Sequence, residues 1–140
     1  MDFSASFKIC SDGLQAQRTR MDVITSNIAN AETTRTAEGG PYKRKTAVLS
    51  SEPLANSFGE TLNNAVMSVK VEKIVEDNGV KMVYDPKHPD ANPEGYVAKP
   101  NINLMLEMAE MITASRNYEA CVTALDATKN MTLKTLDIGK

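Results

Sequence analysis

Tryptophan is absent from this sequence, histidine occurs once and cysteine twice. Each scarcity removes a class of function. A lone imidazole, His88, leaves no second histidine for a metal cage or a histidine-relayed acid–base pair. Beside Asp85 and Asp90 it reads as a proline-pinned surface or interface residue, and no metal or cofactor is expected. Cys10 and Cys121 are too few for a disulfide framework and lack metal-ligand spacing. They read as small, buried or half-buried hydrophobes, and a bridge between them would require the chain ends to pack side by side.

Long hydrophobic runs are missing too. The most apolar stretch, "INLMLEMAEMI", is interrupted by Glu107 and Glu110 and falls short of a membrane span. The start, "MDFSASFKIC", has Asp2 where a signal peptide carries positive charge, so secretion by a cleaved signal is not expected. Charge of one sign is not in excess: sixteen basic against eighteen acidic residues leave a net charge of -2. That balance gives no basic surplus for nucleic acid. The one basic cluster, Lys43-Arg44-Lys45, reads as a solvated strand or loop. There is no nucleophile elbow, Gly-rich phosphate loop or paired-cysteine redox motif, so no catalytic residue is assigned and an enzyme is not expected.

What the chain does have is helical periodicity at both ends. Phe3, Phe7, Cys10, Leu14, Met21, Ile24, Ile28 and Ala31 follow alternating three- and four-residue steps, with Gln17 in the one gap. They predict a helix of about 25 residues, roughly 40 Å long. Gly13 inside it costs about 1 kcal/mol relative to alanine. Toward the C-terminus Leu104, Met108, Met111, Ser115, Tyr118, Val122, Leu125, Lys129, Thr132 and Leu136 continue the same steps, starting near Pro100 and Asn101. A second line, Ile9, Ala16 and Val23, lies about 200° around the first helix from Phe7, Leu14 and Met21. Leu106, Ala120 and Ala127 match it on the second helix. Two apolar faces imply neighbours on both sides, either another subunit or a wider core stripe.

The first helix closes on "SNIANAETT", with Asn27 and Asn30 one turn apart. Asparagine suits helix ends, where it tolerates the left-handed conformation, and its amide both donates and accepts. The pair is expected to close the helix and tie it to a neighbouring backbone. Glu107 and Glu110 share a helix face and read as solvated carboxylates or partners for basic residues on a neighbour. Met105, Met108 and Met111 read as adaptable helix packing.

Between the helices, residues 35 to 65 are rich in Gly, Pro, Ser and Asn and predict loop with one strand near Tyr42 to Leu49. "VMSVKVEKIVEDNGVKMVY" predicts a β-hairpin turning at Asn78-Gly79, with Val69 and Val71 alternating with Lys70 and Glu72, and with Val80, Met82 and Tyr84 on one face. Prolines 86, 89, 93 and 100 exclude a helix in "DPKHPDANPEGYVAKPNIN". The expected fold is therefore mainly α with a small β insertion: an N-terminal helical region (1–34), a β-hairpin and turn-rich middle (35–100) and a C-terminal helix (101–140). The two long helices would form a coiled-coil-like hairpin.

Three segments carry a resemblance. "SDGLQAQRTRMDVITSNIANAETT", "YDPKHPDANPEGYVAKPNINLMLEMAEMITASRNYEACVTALDATKNM" and "LDIGK" together resemble the bacterial flagellar axial proteins, and most closely the proximal branch of the basal-body rod family. The carriers are Asn27, Ala29 and Asn30 at one end and Arg116, Asn117 and Tyr118 at the other. The middle elements His88, Pro89, Asp90 and Asn92, with Gly95 and Tyr96, look specific to the proximal branch. Cys121 departs from the family pattern, which reads "YEANV" there, so no role is carried over to either cysteine.

The resemblance implies a structural subunit exported by the flagellar type III apparatus without signal cleavage. It implies polymerisation into the periplasm-spanning rod that passes torque from the membrane ring to the distal rod and hook. Its implied partners are other copies, the rod proteins FlgB, FlgF and FlgG, and FliE with the membrane-embedded ring. Nucleic acid and small-molecule substrates are not among them. Phe7, Leu14, Met21, Ile24, Asn27, Ile28 and Asn30, with Leu104, Met108, Met111, Tyr118, Val122 and Leu125, become the expected subunit interface. Seams lacking their partners would fray in a free monomer. The competing reading is a soluble coiled-coil adaptor or export chaperone, which would share the seams without needing the "HPDAN" segment.

Overall fold

A computed structural model describes residues 3–54 and 67–138. Its elements are α1 (Phe3–Ala29), β1 (Arg44–Pro53), β2 (Met67–Asp77), β3 (Val80–Tyr84), β4 (Tyr96–Pro100) and α2 (Leu104–Ile138). Two long terminal helices flank a small antiparallel β region, as the periodicity predicts. Residues 55–66, where loop is expected, and the side chain of Phe3 at the start of the seam lie outside the described residues.

The helices run antiparallel, because Asn27 meets Glu107, Arg20 meets Glu110, and Gly13 meets Cys121. A Cβ on Gly13 would stand 3.2 Å from the Cys121 sulfur, so the missing side chain lets the helices approach there. That close approach gives the helix-weakening glycine a packing role. Asn103 starts α2: its side-chain oxygen accepts from the backbone N–H of Met105 (3.1 Å) and Leu106 (3.4 Å). The start is therefore later than Pro100-Asn101, since Pro100 ends β4.

Helix α1 is the centre of the molecule, packing on α2, β1 and β2. The β1–β2 ribbon lies lengthwise on it, held at one end by Lys45 on Asn27 and at the other by Ser68 on Asp12. From Asp12 to Asn27 the helix rises about 22 Å, and from Lys45 to Glu52, opposite Ser68, the strand rises about 23 Å, so the two match in length. One bulge between Val48 and Leu49 makes Glu72 the extra residue of the ribbon. The second apolar line of α1 is thus covered within the chain: Ala16 and Val23 are buried.

The strands near Asn78-Gly79 form as expected, but they do not pair with each other. β2 pairs with β1, and β3 pairs with β4 in a second two-stranded sheet. The tight hairpin turn at Asn-Gly needs positive φ at both central residues. Neither residue has it. Instead the Gly79 N–H bonds the Asp77 carboxylate (2.9 Å) and its carbonyl accepts from Asn101 (3.3 Å), which steers the chain from one sheet to the next. The true turn of the β3–β4 hairpin is the proline-rich segment 85–95, and "YVAKP", read as loop, is a strand.

Gly95 closes that turn at φ +81, where a Cβ would lie 2.9 Å from the Tyr84 ring. Gly39 has a similar φ of +89 with open space around it. Gly95→Ala is therefore expected to cost about 2–3 kcal/mol, and Gly39→Ala about 1 kcal/mol, in urea unfolding. Equal costs at the two sites would show that the contact with Tyr84 does not matter.

Candidate functional site

The buried centre of the molecule is polar. Glu107 is 1% exposed and Asn27 is 1% exposed, in a core whose buried apolar members are Ala16, Val23, Ile24, Val97 and Ala114. Burying a carboxylate is costly unless both oxygens find partners. Here they do. Arg44 from β1 places Nε and Nη2 each 2.7 Å from Oε1, and Asn27 donates to Oε2 at 3.1 Å. Arg44 and Arg20 also reach Glu110, at 3.8 and 3.5 Å.

Asn27 uses its whole amide. Its nitrogen donates to the Lys45 carbonyl (2.8 Å) as well as to Glu107, and its oxygen accepts from the Lys45 N–H (2.9 Å) and the Tyr42 hydroxyl (3.2 Å). The expected tie to a neighbouring backbone exists, and that backbone is β1 of the same chain. Asn30 does the helix-closing. It donates to the Ser26 carbonyl (2.9 Å) and accepts from Thr33 (3.2 Å), without the left-handed conformation expected of it.

Two readings of charged residues change accordingly. Glu107 is not solvated but is the anion of the core, and Arg44 turns inward from a cluster read as solvated. Its neighbours Lys43 and Lys45 pair outside with Glu76. The sequence signal was present in the strand alternation, since a strand near Tyr42 to Leu49 already sets Arg44 on the face opposite Lys43 and Lys45.

The C-terminal seam also keeps only one of its two expected lines, the other being replaced by the line one residue earlier. The row turned toward α1 is Glu107, Met111, Ala114, Tyr118, Cys121, Leu125, Thr128 and Thr132, all buried or half-buried. The expected row shares Met111, Tyr118, Leu125 and Thr132 with it, whereas Leu104, Met108 and Val122 are 47%, 50% and 38% exposed. Met105, Leu106 and Ile112 are exposed as well, at 75%, 52% and 56%. The first turns of α2 are therefore inverted, with carboxylates inward and large apolar groups outward. On α1, Phe7, Leu14, Met21 and Ile28 are half-buried and Ile24 is buried.

The middle motif builds a turn. Asn92 accepts at its side-chain oxygen from Glu94 N–H (3.1 Å) and Tyr96 N–H (2.8 Å), while Gly95 donates back to its carbonyl (2.9 Å). His88 Nδ1 accepts from the Asp90 N–H at 3.1 Å. Pro89 is exposed beside it, and the Asp90 carboxylate takes the Thr34 hydroxyl at 2.8 Å. Tyr84 and Tyr96 meet edge to face across the hairpin, centroids 5.3 Å apart. Together with the Lys99–Glu32 pair, these contacts seat the hairpin on the turn that follows α1. Among the described residues no helix is long and apolar enough to cross a membrane, and no cluster of three or more His, Cys, Asp and Glu is placed to hold a metal ion. Cys10 and Cys121 are free and half-buried.

Comparison with known proteins returns two family models. "Flagella basal body rod protein" matches residues 9–35, and "Flagellar basal body rod FlgEFG protein C-terminal" matches residues 94–138. Flagellar basal-body rod protein FlgC of Bacillus subtilis is 47% identical, covering 96% of this chain and 97% of that protein. The FlgC of Borreliella burgdorferi is 41% identical (94% and 93% covered), and that of Salmonella typhimurium 36% (96% and 96%). The first matched segment contains Asn27 and the second contains Glu107, the helical members of the polar junction with Arg44.

Two outcomes follow, one for the Asn27–Glu107–Arg44 junction and one for the Ser68–Asp12 contact at the other end of the ribbon. Asn27→Ala leaves the Lys45 N–H and one Glu107 oxygen without partners and is expected to cost about 2–4 kcal/mol, against about 1 kcal/mol for Asn30→Ala; urea titrations of the two variants compare them. The second concerns acid. Hydrogen bonds from Lys8 and Ser68 hold the Asp12 carboxyl below its ordinary value of 3.8. A lowered folded-state value means the Asp12 contribution is present above that ordinary value and is lost as pH falls through the folded one. Ser68→Ala should therefore flatten the acid limb of stability below about pH 4 and leave the slope at neutral pH unchanged; a parallel displacement at all pH values would show otherwise.

Proposed function

Since the chain belongs to the FlgC family of flagellar basal-body rod proteins and is a structural subunit of the rod, we propose that it polymerises through its terminal helices into the proximal rod. Membership places it in the flagellar basal body, assembled with other rod and basal-body components. The observation that carries the finer reading is the inverted start of α2. Leu104, Met105, Leu106, Met108 and Ile112 stand 47–75% exposed on their own chain, and a filament built from head-to-tail contacts supplies the cover.

In this reading the half-buried row Phe7, Leu14, Met21 and Ile28 and the outward row of α2 meet the helices of adjacent subunits. Ile24, Asn27 and Asn30 hold the end of α1 in the shape those neighbours meet. Met111, Tyr118 and Leu125, shared between the inner seam and the outward row, set the width of the contact. The β3–β4 hairpin, carrying His88, Pro89, Asp90, Asn92, Gly95 and Tyr96, braces neighbouring subunits from outside. Torque passes along the shaft because each subunit's helix pair is tied internally by the polar junction and externally by apolar rows. FlgB, FlgF and FlgG are its rod neighbours, and FliE joins it to the membrane-embedded ring. Export runs through the flagellar type III apparatus without a cleaved signal.

Leu104→Asp with Met108→Asp tests the reading. Both side chains are about half exposed in the single chain, so the variant is expected to keep its helical circular dichroism and its stability within about 0.5 kcal/mol. It should nevertheless fail to appear in purified basal bodies and should abolish swimming. Normal incorporation of the variant would remove the outward row from the interface. Hydrogen exchange adds a second measure: the terminal helices should be protected far more in basal bodies than in the dilute subunit.

A further inference from the structure

We propose that the buried Glu107 carboxylate, held by Arg44 and Asn27, sets the rotation of α2 about its own axis and so keeps the more apolar of its two faces turned outward. Two rows on α2 compete for the seam with α1. One is the observed row, whose distinctive members are Glu107, Ala114, Cys121 and Thr128. The other keeps the Met111 line and replaces the second line with the one a residue later, a turn of about 50°, and its distinctive members are Met108, Ser115, Val122 and Lys129. The two share Met111, Tyr118, Leu125 and Thr132.

Over the first turns of α2, hydrophobic burial alone selects the second row, because Met108 gains more from leaving water than Glu107; further along, Val122 against Cys121 adds to this, while Ser115 and Lys129 gain nothing over Ala114 and Thr128. The structure nevertheless takes the first, and the one strong directional interaction on that row is at Glu107. Both its oxygens are satisfied only in this rotation, because Arg44 comes from β1 and Asn27 from α1, and these are fixed to each other through Lys45. Turning α2 to that seam would carry Glu107 away and cost Arg44 both of its 2.7 Å contacts with the carboxylate. Buried polar groups of this kind can specify register and orientation even where they add little net stability. Glu107 is in this sense a positioning residue: it touches no neighbour, and acts by deciding which face neighbours find. That last step rests on the rod reading above; the rotation itself does not.

The Gly13–Cys121 approach supplies a direct readout. A Cβ at residue 13 lies 3.2 Å from the Cys121 sulfur, close to the about 3 Å between a disulfide's Cβ and its far sulfur. Two full-length reporters, both carrying Cys10→Ser, are compared at low concentration with oxidised glutathione as the oxidant. The first has Gly13→Cys facing native Cys121; the second has Gly13→Cys, Cys121→Ser and Val122→Cys. In each, two thiols give up two protons and two electrons to the glutathione disulfide, which leaves as two reduced glutathiones.

With Arg44 and Glu107 intact, the crosslink to position 121 should form at least about tenfold faster than that to 122, the ratio expected when one rotation dominates. With Arg44→Met and Glu107→Leu the ratio should fall to near one, and the milder Glu107→Gln should lower it about threefold. Adding Met108→Gln to the double variant weakens the competing row and should restore preference for 121, a rescue that a merely stabilising role would not produce. An unchanged ratio in the double variant, or no recovery in the rescued one, overturns the proposal. The measurement is made on the isolated subunit, so it stands or falls apart from assembly, which the Leu104 and Met108 substitutions to Asp address.

Discussion

A carboxylate at the centre of a 140-residue chain constrains everything around it. Glu107 requires a cation, and the one that reaches it is on β1, so the chain must return from the end of α1 and lay its first strand back along the same helix. It also requires a neutral donor for its second oxygen, and Asn27 gives one only because its other hydrogen bonds hold Lys45. Three elements that are distant in sequence are thereby fixed against one another at a single point. The apolar core nearby is slight, which leaves much of the orientation to directional bonds.

The long helices and the strand-rich middle were legible because period and propensity act locally. Alternation at Val69 and Val71 and the three- and four-residue steps from Phe7 to Ile28 survive whatever tertiary structure forms. Pairing was less legible. Asn78-Gly79 carries the composition of a tight hairpin turn, but its backbone follows the Asp77 side chain and Asn101 instead, and Asn101 belongs to a distant part of the chain. The rotation of α2 failed for a related reason: a seam was sought among the most apolar residues, and the winning row was selected by a charge whose partner, Arg44, lay in a stretch with an equally good solvent-exposed reading.

Asn27 and Asn30 show the same division within four residues. Both are amides at a helix end, and sequence alone treats them alike. Asn30 stays local, bonding Ser26 and Thr33, and serves as a stop. Asn27 is one turn earlier, where the helix still faces β1, and its amide replaces a length of strand pairing. Position on the helix surface separates the two roles, and that depends on where the ribbon lies.

A subunit that folds alone by its most apolar surface has little left to offer a polymer. Here the allocation is reversed. Polar residues and small ones, Gly13, Ala114 and Asn27 among them, sit in the seam beside Met111 and Leu125, and Leu104, Met105, Met108 and Ile112 remain largely on the outside. Large exposed apolar groups raise the free energy of the dilute subunit and lower that of any state in which copies cover one another, so the equilibrium is shifted toward the proposed assembly by the same residues that the internal fold leaves unused. Directional bonds define the shape of the subunit, and non-directional burial joins subunits of that shape. Exchanging the two would leave a well-packed monomer with no reason to build a shaft.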